Sequence, residues 1–140
     1  VIPRLIDMKI DPYLIPSTLI LAIAQRLVRR LCPESKKQIK PSTEIEELIK
    51  KELPNAKAPH TLYEPQISEK CPKGTKGRIA IFEVLEMTSQ LEDIILKEPS
   101  ETKIKEEAKR QGMITMLQDG ISKVLKGIVG VEEVRKAVEE

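Results

Sequence analysis

The sequence predicts an α/β fold that is rich in helix. Residues 79–85, IAIFEVL, are dominated by β-branched and other apolar side chains and follow a glycine-containing turn, which predicts a buried strand. From residue 88 onward, short apolar stripes with helical spacing are separated by glycines, which predicts a set of short helices. At 140 residues, the chain is long enough for one ordinary core, or for a shared core with a small appended lobe.

The N-terminal segment predicts two helical pieces. Residues 1–10 have helical apolar spacing and lead into Asp11-Pro12, where proline disfavours helical conformation in the residue before it. Ser17 is a candidate cap for a short helix over Thr18–Leu21. The chain begins inside a helical pattern and without an initiating Met, so we expect it to be a fragment of a longer protein.

Residues 23–32 fit two periods. The apolar positions Leu27, Val28 and Leu31 suit a helix, whereas apolar residues interspersed with Gln25 and arginines suit a strand. Periodicity leaves this segment open between the two.

An inserted arm is expected over residues 33–76. Six prolines punctuate this polar stretch, which is typical of a lobe or arm rather than a core segment. One helix is predicted inside it, from Glu44 to Leu53, with Ser42 or Thr43 as its cap. The apolar stripe of this helix consists of Ile45, Leu48, Ile49 and Leu53.

Four helices are predicted after the strand. Thr88 and Ser100 are the candidate N-caps of the first two, and isolated helices this short are marginal in water, so we expect them to pack as a small bundle. Their predicted spans are 89–97, 101–111, 115–126 and 131–139.

Composition argues against nucleic acid as a ligand. The 24 basic and 22 acidic side chains leave a net charge of +2, and aromatic residues make up only 2% of the chain. Neither a basic surface nor stacking platforms for bases are therefore expected. No apolar run approaches the roughly 20 residues that span a bilayer, and a secretory signal is absent, so we expect a cytoplasmic protein with reduced cysteines.

Two Cys-Pro pairs open what resemble the halves of a four-cysteine metal site. Serine stands at position 35 and glycine at position 74, where a CxxC motif after Cys32 or Cys71 needs its second thiolate. We expect no zinc, and two buried or reduced free thiols that lie near each other. The single histidine, His60, lies in a proline-flanked polar loop and is expected to be a solvated residue.

Arginines supply the remaining candidates for chemistry. Arg26, Arg29 and Arg30 form a basic cluster that fits either a solvated strand edge or guanidinium groups aimed at a phosphate or a neighbouring subunit. Arg78 follows a glycine turn, which fits either a tight entry to the strand or an arginine projecting into a cleft. Asp119-Gly120 is expected at a polar surface position in or beside a helix. The chain has neither a GxxxxGK[ST] phosphate loop nor a GxGxxG turn.

Several blocks in one order resemble the C-terminal part of the secretion ATPase superfamily, specifically the type IV pilus assembly ATPases and the related type II secretion ATPases. The blocks are residues 4–8 (RLIDM), 24–32 (AQRLVRRLC), 77–85 (GRIAIFEVL) and 110–113 (RQGM), followed by Asp119-Gly120, Lys123-Val124 and Gly127-Ile128.

This resemblance implies the last part of a RecA-like ATPase core. Residues 1–32 would be the end of that core, 33–76 the inserted arm with a degenerate metal-binding lobe, 77–87 a core strand and 88–140 a C-terminal helical subdomain. The phosphate loop, and with it most of the site for ATP and Mg²⁺, would lie before Val1.

The resemblance also implies a function. It describes a homo-hexameric motor that hydrolyses ATP and drives an inner-membrane platform protein, for pilin extrusion or protein secretion, from the cytoplasmic side of the membrane. By the same resemblance, Arg26 and Arg78 lie near the nucleotide or a subunit interface, and the family's four-cysteine zinc site maps onto Cys32 and Cys71 alone. The alternative is a stand-alone helical adaptor related to such ATPases.

Overall fold

A computed structural model describes residues 1–139 and confirms a mixed α/β architecture. Helices and strands are mixed along the chain up to Glu86, and helices alone follow. In chain order the elements are α1 (Ile2–Asp7), α2 (Leu14–Thr18), β1 (Leu21–Leu31), β2 (Lys37–Ile39), α3 (Thr43–Glu52), β3 (Leu62–Glu64), β4 (Thr75–Glu86), α4 (Ser89–Lys97), α5 (Glu101–Arg110), α6 (Met116–Leu125) and α7 (Val131–Glu139).

The described strands form two small sheets. β1 pairs with β4, and β2 pairs with β3. The end of β1 lies beside the start of β4, where the Cys32 amide donates to the Gly74 carbonyl over 3.2 Å, so these two strands run antiparallel. β2 and β3 are also antiparallel, with Gln38 opposite Tyr63.

The chain forms two compact units. The first contains residues 1–24 and 83–114, and the second contains residues 25–82 and 115–140. The helices after β4 are divided between them, α4 and α5 in the first and α6 and α7 in the second. These units do not coincide with the four segments expected from the sequence, whose boundaries remain predictions.

An apolar cluster of Ile2, Ile15, Leu91 and Ile95 forms the core of the first unit. The buried carboxylate of Glu107 adds a polar link there, accepting from Arg110 Nε at 2.7 Å and from the Thr88 hydroxyl at 3.3 Å. The hydrogen bond and charge of Arg110, aided by Thr88, lower the Glu107 pKa despite the opposing effect of burial.

A larger core fills the second unit, and the arm contributes to it. Val28 of β1 and Ile81 of β4 are buried together with Ile45 and Ile49 of α3. Leu62 of β3 belongs to the same cluster, which also includes Ile121, Val124, Val129 and Val134. Leu48 and Leu53 pack against it, so the predicted apolar stripe of the arm helix is confirmed.

Most predicted elements are found close to their predicted bounds. The four C-terminal helices are confirmed within a residue or two, and Ser42, Thr88 and Ser100 each cap a helix through the side-chain oxygen. The undecided segment 23–32 falls in strand β1 except for its last residue.

Three details of the elements differ from the sequence prediction. The strand expected to be buried, β4, has only Ile81 buried. Ser17 is not a cap, because it lies inside α2 and its hydroxyl donates to the Leu14 carbonyl at 3.1 Å. The arm also contains the strand pair β2 and β3, which the pattern of prolines and polar residues concealed. Within residues 1–139, no helix is both long and apolar enough to cross a membrane.

Candidate functional site

Four arginines lie on the paired strands β1 and β4. Arg26, Arg29 and Arg30 are on β1 and Arg78 is on β4, and all four are exposed. Among residues 1–139, none of their guanidinium groups forms a hydrogen bond or ion pair with a carboxylate. The structure therefore brings the two candidates, Arg26 and Arg78, onto adjacent strands of one sheet with their charges available to an external group.

Backbone contacts to α6 and α7 fix the strands that carry these arginines. The Arg29 amide donates to Glu133 Oε1 at 3.1 Å, and the Phe82 amide donates to Asp119 Oδ2 at 2.8 Å. The Leu31 amide donates to the Ile128 carbonyl at 2.9 Å. Strand amides that would otherwise lack a partner are thus capped by helix carboxylates, which holds β1 and β4 against the helices.

Asp119 and Gly120 lie in α6, as expected, but the pair is not a simple surface position. Asp119 bridges the Phe82 amide and Lys123 Nζ, the latter at 2.8 Å, and is only partly exposed. Gly120 is buried, and a Cβ there would overlap Val134 Cγ1. The pair is a packing point between α6, α7 and β4, because glycine allows the close approach and aspartate caps the strand.

The glycine turn before Arg78 serves a tight entry to β4. Gly74 has φ of +73°, and a Cβ there would lie 2.9 Å from Pro65 Cβ and 3.0 Å from the Gln66 nitrogen. The sequence left open whether this turn serves a tight entry to the strand or projects Arg78 into a cleft. The close backbone approach at Gly74 is the feature expected of a tight entry. Arg78 itself is exposed on the strand that follows.

The cysteines differ from the expectation of free thiols. Cys32 and Cys71 form a disulfide with a Cα–Cα separation of 6.3 Å, and both are buried. Their proximity was predicted and is confirmed, whereas the expectation of reduced thiols was wrong, because a pattern of two cysteines does not reveal whether their compartment is oxidising.

The residues around the disulfide do not fit the family's four-cysteine zinc site. A disulfide has no thiolate to donate to a metal, and the Ser35 hydroxyl donates to the Gln66 carbonyl at 2.7 Å. Gly74 offers no ligand. Within residues 1–139, no three His, Cys, Asp or Glu side chains are grouped as a metal site.

His60 is not the solvated loop residue that was expected. It is 8% exposed, and its Nδ1 lies 2.9 Å from Glu46 Oε2 of α3. Its Nε2 is buried without a hydrogen-bond partner in the described part of the chain. The contact ties the loop after Pro59 to the arm helix, a pairing between residues 14 positions apart that no local pattern could reveal.

Comparison with known proteins identifies the family. Residues 1–136 match the family model described as Type II/IV secretion system protein. The chain belongs to this family. Among curated relatives, the type IV pilus assembly ATPase PilB of Thermus thermophilus is 39% identical over 137 residues, covering 95% of this chain and 15% of the relative.

Relatives from both branches of the family are found. PilB of Myxococcus xanthus is 36% identical, over 95% of this chain and 24% of its own length. The type II secretion system protein E of Xanthomonas campestris is 35% identical, over 99% of this chain and 24% of its own length. The chain thus spans a quarter or less of these family members. The resemblance stated from the sequence blocks is confirmed.

Proposed function

We propose that this chain is the C-terminal, non-catalytic portion of a hexameric motor ATPase that powers type IV pilus assembly or type II secretion. Relatives named for both systems match it nearly end to end, which supports a role in one of them. In this proposal β1 and β4 are the last strands of a RecA-like core, and α4–α7 are the helices that follow it.

The observation that carries the proposal is the set of unpaired arginines on β1 and β4. Exposed ion pairs are common elsewhere in the chain, such as Lys70 with Glu34 and Lys105 with Glu101. Arg26 and Arg78, in contrast, contact no carboxylate among residues 1–139. Planar guanidinium groups on a firmly held sheet suit bidentate contacts to phosphate oxygens or to the carboxylates of a neighbouring subunit.

The arginines would assist a bound nucleotide, and the main binding site for ATP and Mg²⁺ would be formed by other parts of the motor. The chain has no phosphate loop to cradle a triphosphate. When bound elsewhere in the motor, the nucleotide supplies a phosphoryl group that is transferred to water. Arg26 or Arg78 would stabilise the negative charge that develops on that group, or would hold the adjacent subunit that does so.

The proposal includes the assembly of the parent protein and its location in the cell. The parent protein would form a homo-hexamer on the cytoplasmic side of the inner membrane and act on a platform protein there. We propose no role for nucleic acid, because basic and acidic residues nearly balance, and no role for zinc, because the residues around Cys32 and Cys71 do not fit it.

Substitution of the two arginines in the longer protein tests this function. We expect Arg26→Gln or Arg78→Gln to lower kcat for ATP by about a hundredfold or more, since an arginine that stabilises transferring phosphate contributes at least that much. Arg135→Gln is the matched control, because Arg135 lies on α7 and its guanidinium already pairs with Glu44 at 3.2 Å.

Wild-type turnover in both test variants would contradict the proposed role of these arginines. A longer protein without any ATP turnover would favour the alternative, a helical adaptor related to the motor family.

A further inference from the structure

We propose that the Cys32–Cys71 disulfide replaces a metal as the cross-link at the base of the arm, and that it opens and closes by thiol–disulfide exchange. The arm is residues 33–76, and the bond joins residues separated by 39 positions in sequence. This inference concerns the state of the arm and does not depend on the motor function proposed above.

The backbone at Gly74 excludes a second cysteine ligand on the Cys71 side. The fourth ligand of a CxxC pair beginning at Cys71 would be a cysteine at position 74. A Cβ there would lie 2.9 Å from Pro65 Cβ, in a backbone conformation with φ of +73° that L side chains rarely adopt. The base of the arm is therefore closed to a second thiolate on that side.

Hydrogen bonds hold the residues at the base of the arm. The Cys71 amide donates to the Ser68 hydroxyl at 3.1 Å, and the Gly74 amide donates to the Cys71 carbonyl at 2.9 Å. On the other side, the Ser35 hydroxyl donates to the Gln66 carbonyl at 2.7 Å. The residues that flank the cysteines are thus engaged with one another, and the disulfide adds a direct covalent cross-link between the two sides.

The disulfide lies beside a cavity of about 360 Å³. This cavity is lined by both cysteines, by the cationic residues Arg30, Lys70 and Lys76 and by Glu34. Because Cys32 and Cys71 are only 1% and 2% exposed, a small disulfide would have to reach them from this cavity. Lys70 pairs with Glu34 at 3.0 Å, whereas Arg30 and Lys76 have no carboxylate partner among residues 1–139. Cationic neighbours stabilise a thiolate, the reactive form in exchange, and favour a small disulfide that carries carboxylates.

Glutathione disulfide is a small disulfide that carries carboxylates. In the closing direction, one cysteine thiolate attacks a sulfur of glutathione disulfide, and a glutathione thiolate leaves and takes up a proton. The second cysteine thiolate then attacks the cysteine sulfur of the mixed disulfide and releases the second glutathione. Two protein thiols are oxidised as one small disulfide is reduced to two thiols. An excess of reduced glutathione drives the same steps backwards and opens the arm.

Thiol counting and mass spectrometry on the purified chain test the cross-link directly. After incubation of the native chain with glutathione disulfide, we expect no alkylatable thiol in denaturant and a mass lower than the reduced chain by two hydrogen atoms. Zinc added as the sulfate and removed by desalting should leave far less than one equivalent bound to either form. Two free thiols after this oxidation, a stable glutathione adduct, or stoichiometric zinc would overturn the proposal.

Limited proteolysis measures the consequence for the arm. Reduction of the wild-type chain should raise cleavage within residues 33–70 by about tenfold or more, because it removes the constraint on loop closure. The matched control is Cys71→Ser, whose arm should be cleaved rapidly with or without reductant. Equal cleavage of oxidised and reduced wild type would contradict a role for the bond in closing the arm. None of these readouts involves ATP turnover, so their failure is distinct from failure of the motor function.

Discussion

Replacement of Asp119 tests how the strand that carries Arg78 is held. Asp119 Oδ2 accepts from the Phe82 amide of β4 at 2.8 Å, and Oδ1 accepts from Lys123 Nζ at 2.8 Å. Asp119→Ala removes both contacts and leaves the strand amide without its carboxylate partner. Lys123→Ala removes only the ion pair on the helix and serves as the matched control.

The two contacts are expected to contribute differently to the free energy of unfolding. A hydrogen bond to a charged group contributes about 1.5–3 kcal/mol. The ion pair joins Lys123 and Asp119, which lie one helical turn apart and have side-chain exposures of 18% and 25%. It therefore contributes about 0.3–0.5 kcal/mol to the free energy of unfolding. We therefore expect Asp119→Ala to lower the free energy of unfolding by about 2–3 kcal/mol. Asp119→Asn keeps a neutral acceptor and should fall between the two alanine variants.

Urea unfolding followed by far-ultraviolet circular dichroism measures these differences. With a denaturant slope of about 1–3 kcal/mol/M, Asp119→Ala should move the midpoint down by about 1 M or more. Lys123→Ala should move it by only a few tenths of that amount. Equal shifts in Asp119→Ala and Lys123→Ala would refute the assignment of the Phe82 contact as the stronger one.

Three further predictions address the cores and the titrating groups. Glu107→Gln should reduce the loss of unfolding free energy that the protein shows in acid. Because the pKa of Glu107 is lowered in the folded state, its carboxylate stabilises the fold above its ordinary pKa of 4.5, and this stability is lost as the pH falls through the pKa of the folded state. Urea midpoints measured across the acid range check this, and parallel pH profiles of variant and wild type would contradict it. Gly120→Ala should lower the free energy of unfolding by about 1–3 kcal/mol, because the added methyl group overlaps Val134. Adding Val134→Ala should restore part of the lost thermal stability. Ile49→Ala should cost about 2–5 kcal/mol because this arm residue is 1% exposed, and an unchanged urea midpoint would show that the arm does not share the core.

Local patterns in the sequence specify most of the helices and the strand β4. Thr88 and Ser100 cap helices because their hydroxyls satisfy amides three residues away, a contact that depends only on neighbouring residues. The stripe of α3 likewise predicts which side chains are buried, and Ile45 and Ile49 are. The choice between helix and strand for residues 23–32 needed the pairing of β1 with β4, which is a contact between distant segments.

The features that sequence could not predict all depend on contacts between distant residues. His60 is buried with its Nδ1 2.9 Å from Glu46 Oε2, and β2 and β3 are strands that pair with each other. The disulfide depends on how the ends of the arm meet, for which the spacing of Cys32 and Cys71 gives no geometry. At the candidate site, the sequence pointed to Arg26 and Arg78, whereas no local pattern indicated that Asp119 and Glu133 would accept from the amides of their strands.

The most direct test of the proposed motor role is ATP turnover, measured side by side for this chain alone and for the longer protein that contains it. Because the chain lacks a phosphate loop, we expect no turnover above the buffer rate for the chain alone and steady ATP hydrolysis by the longer protein. Sustained hydrolysis by the 140 residues alone would contradict it.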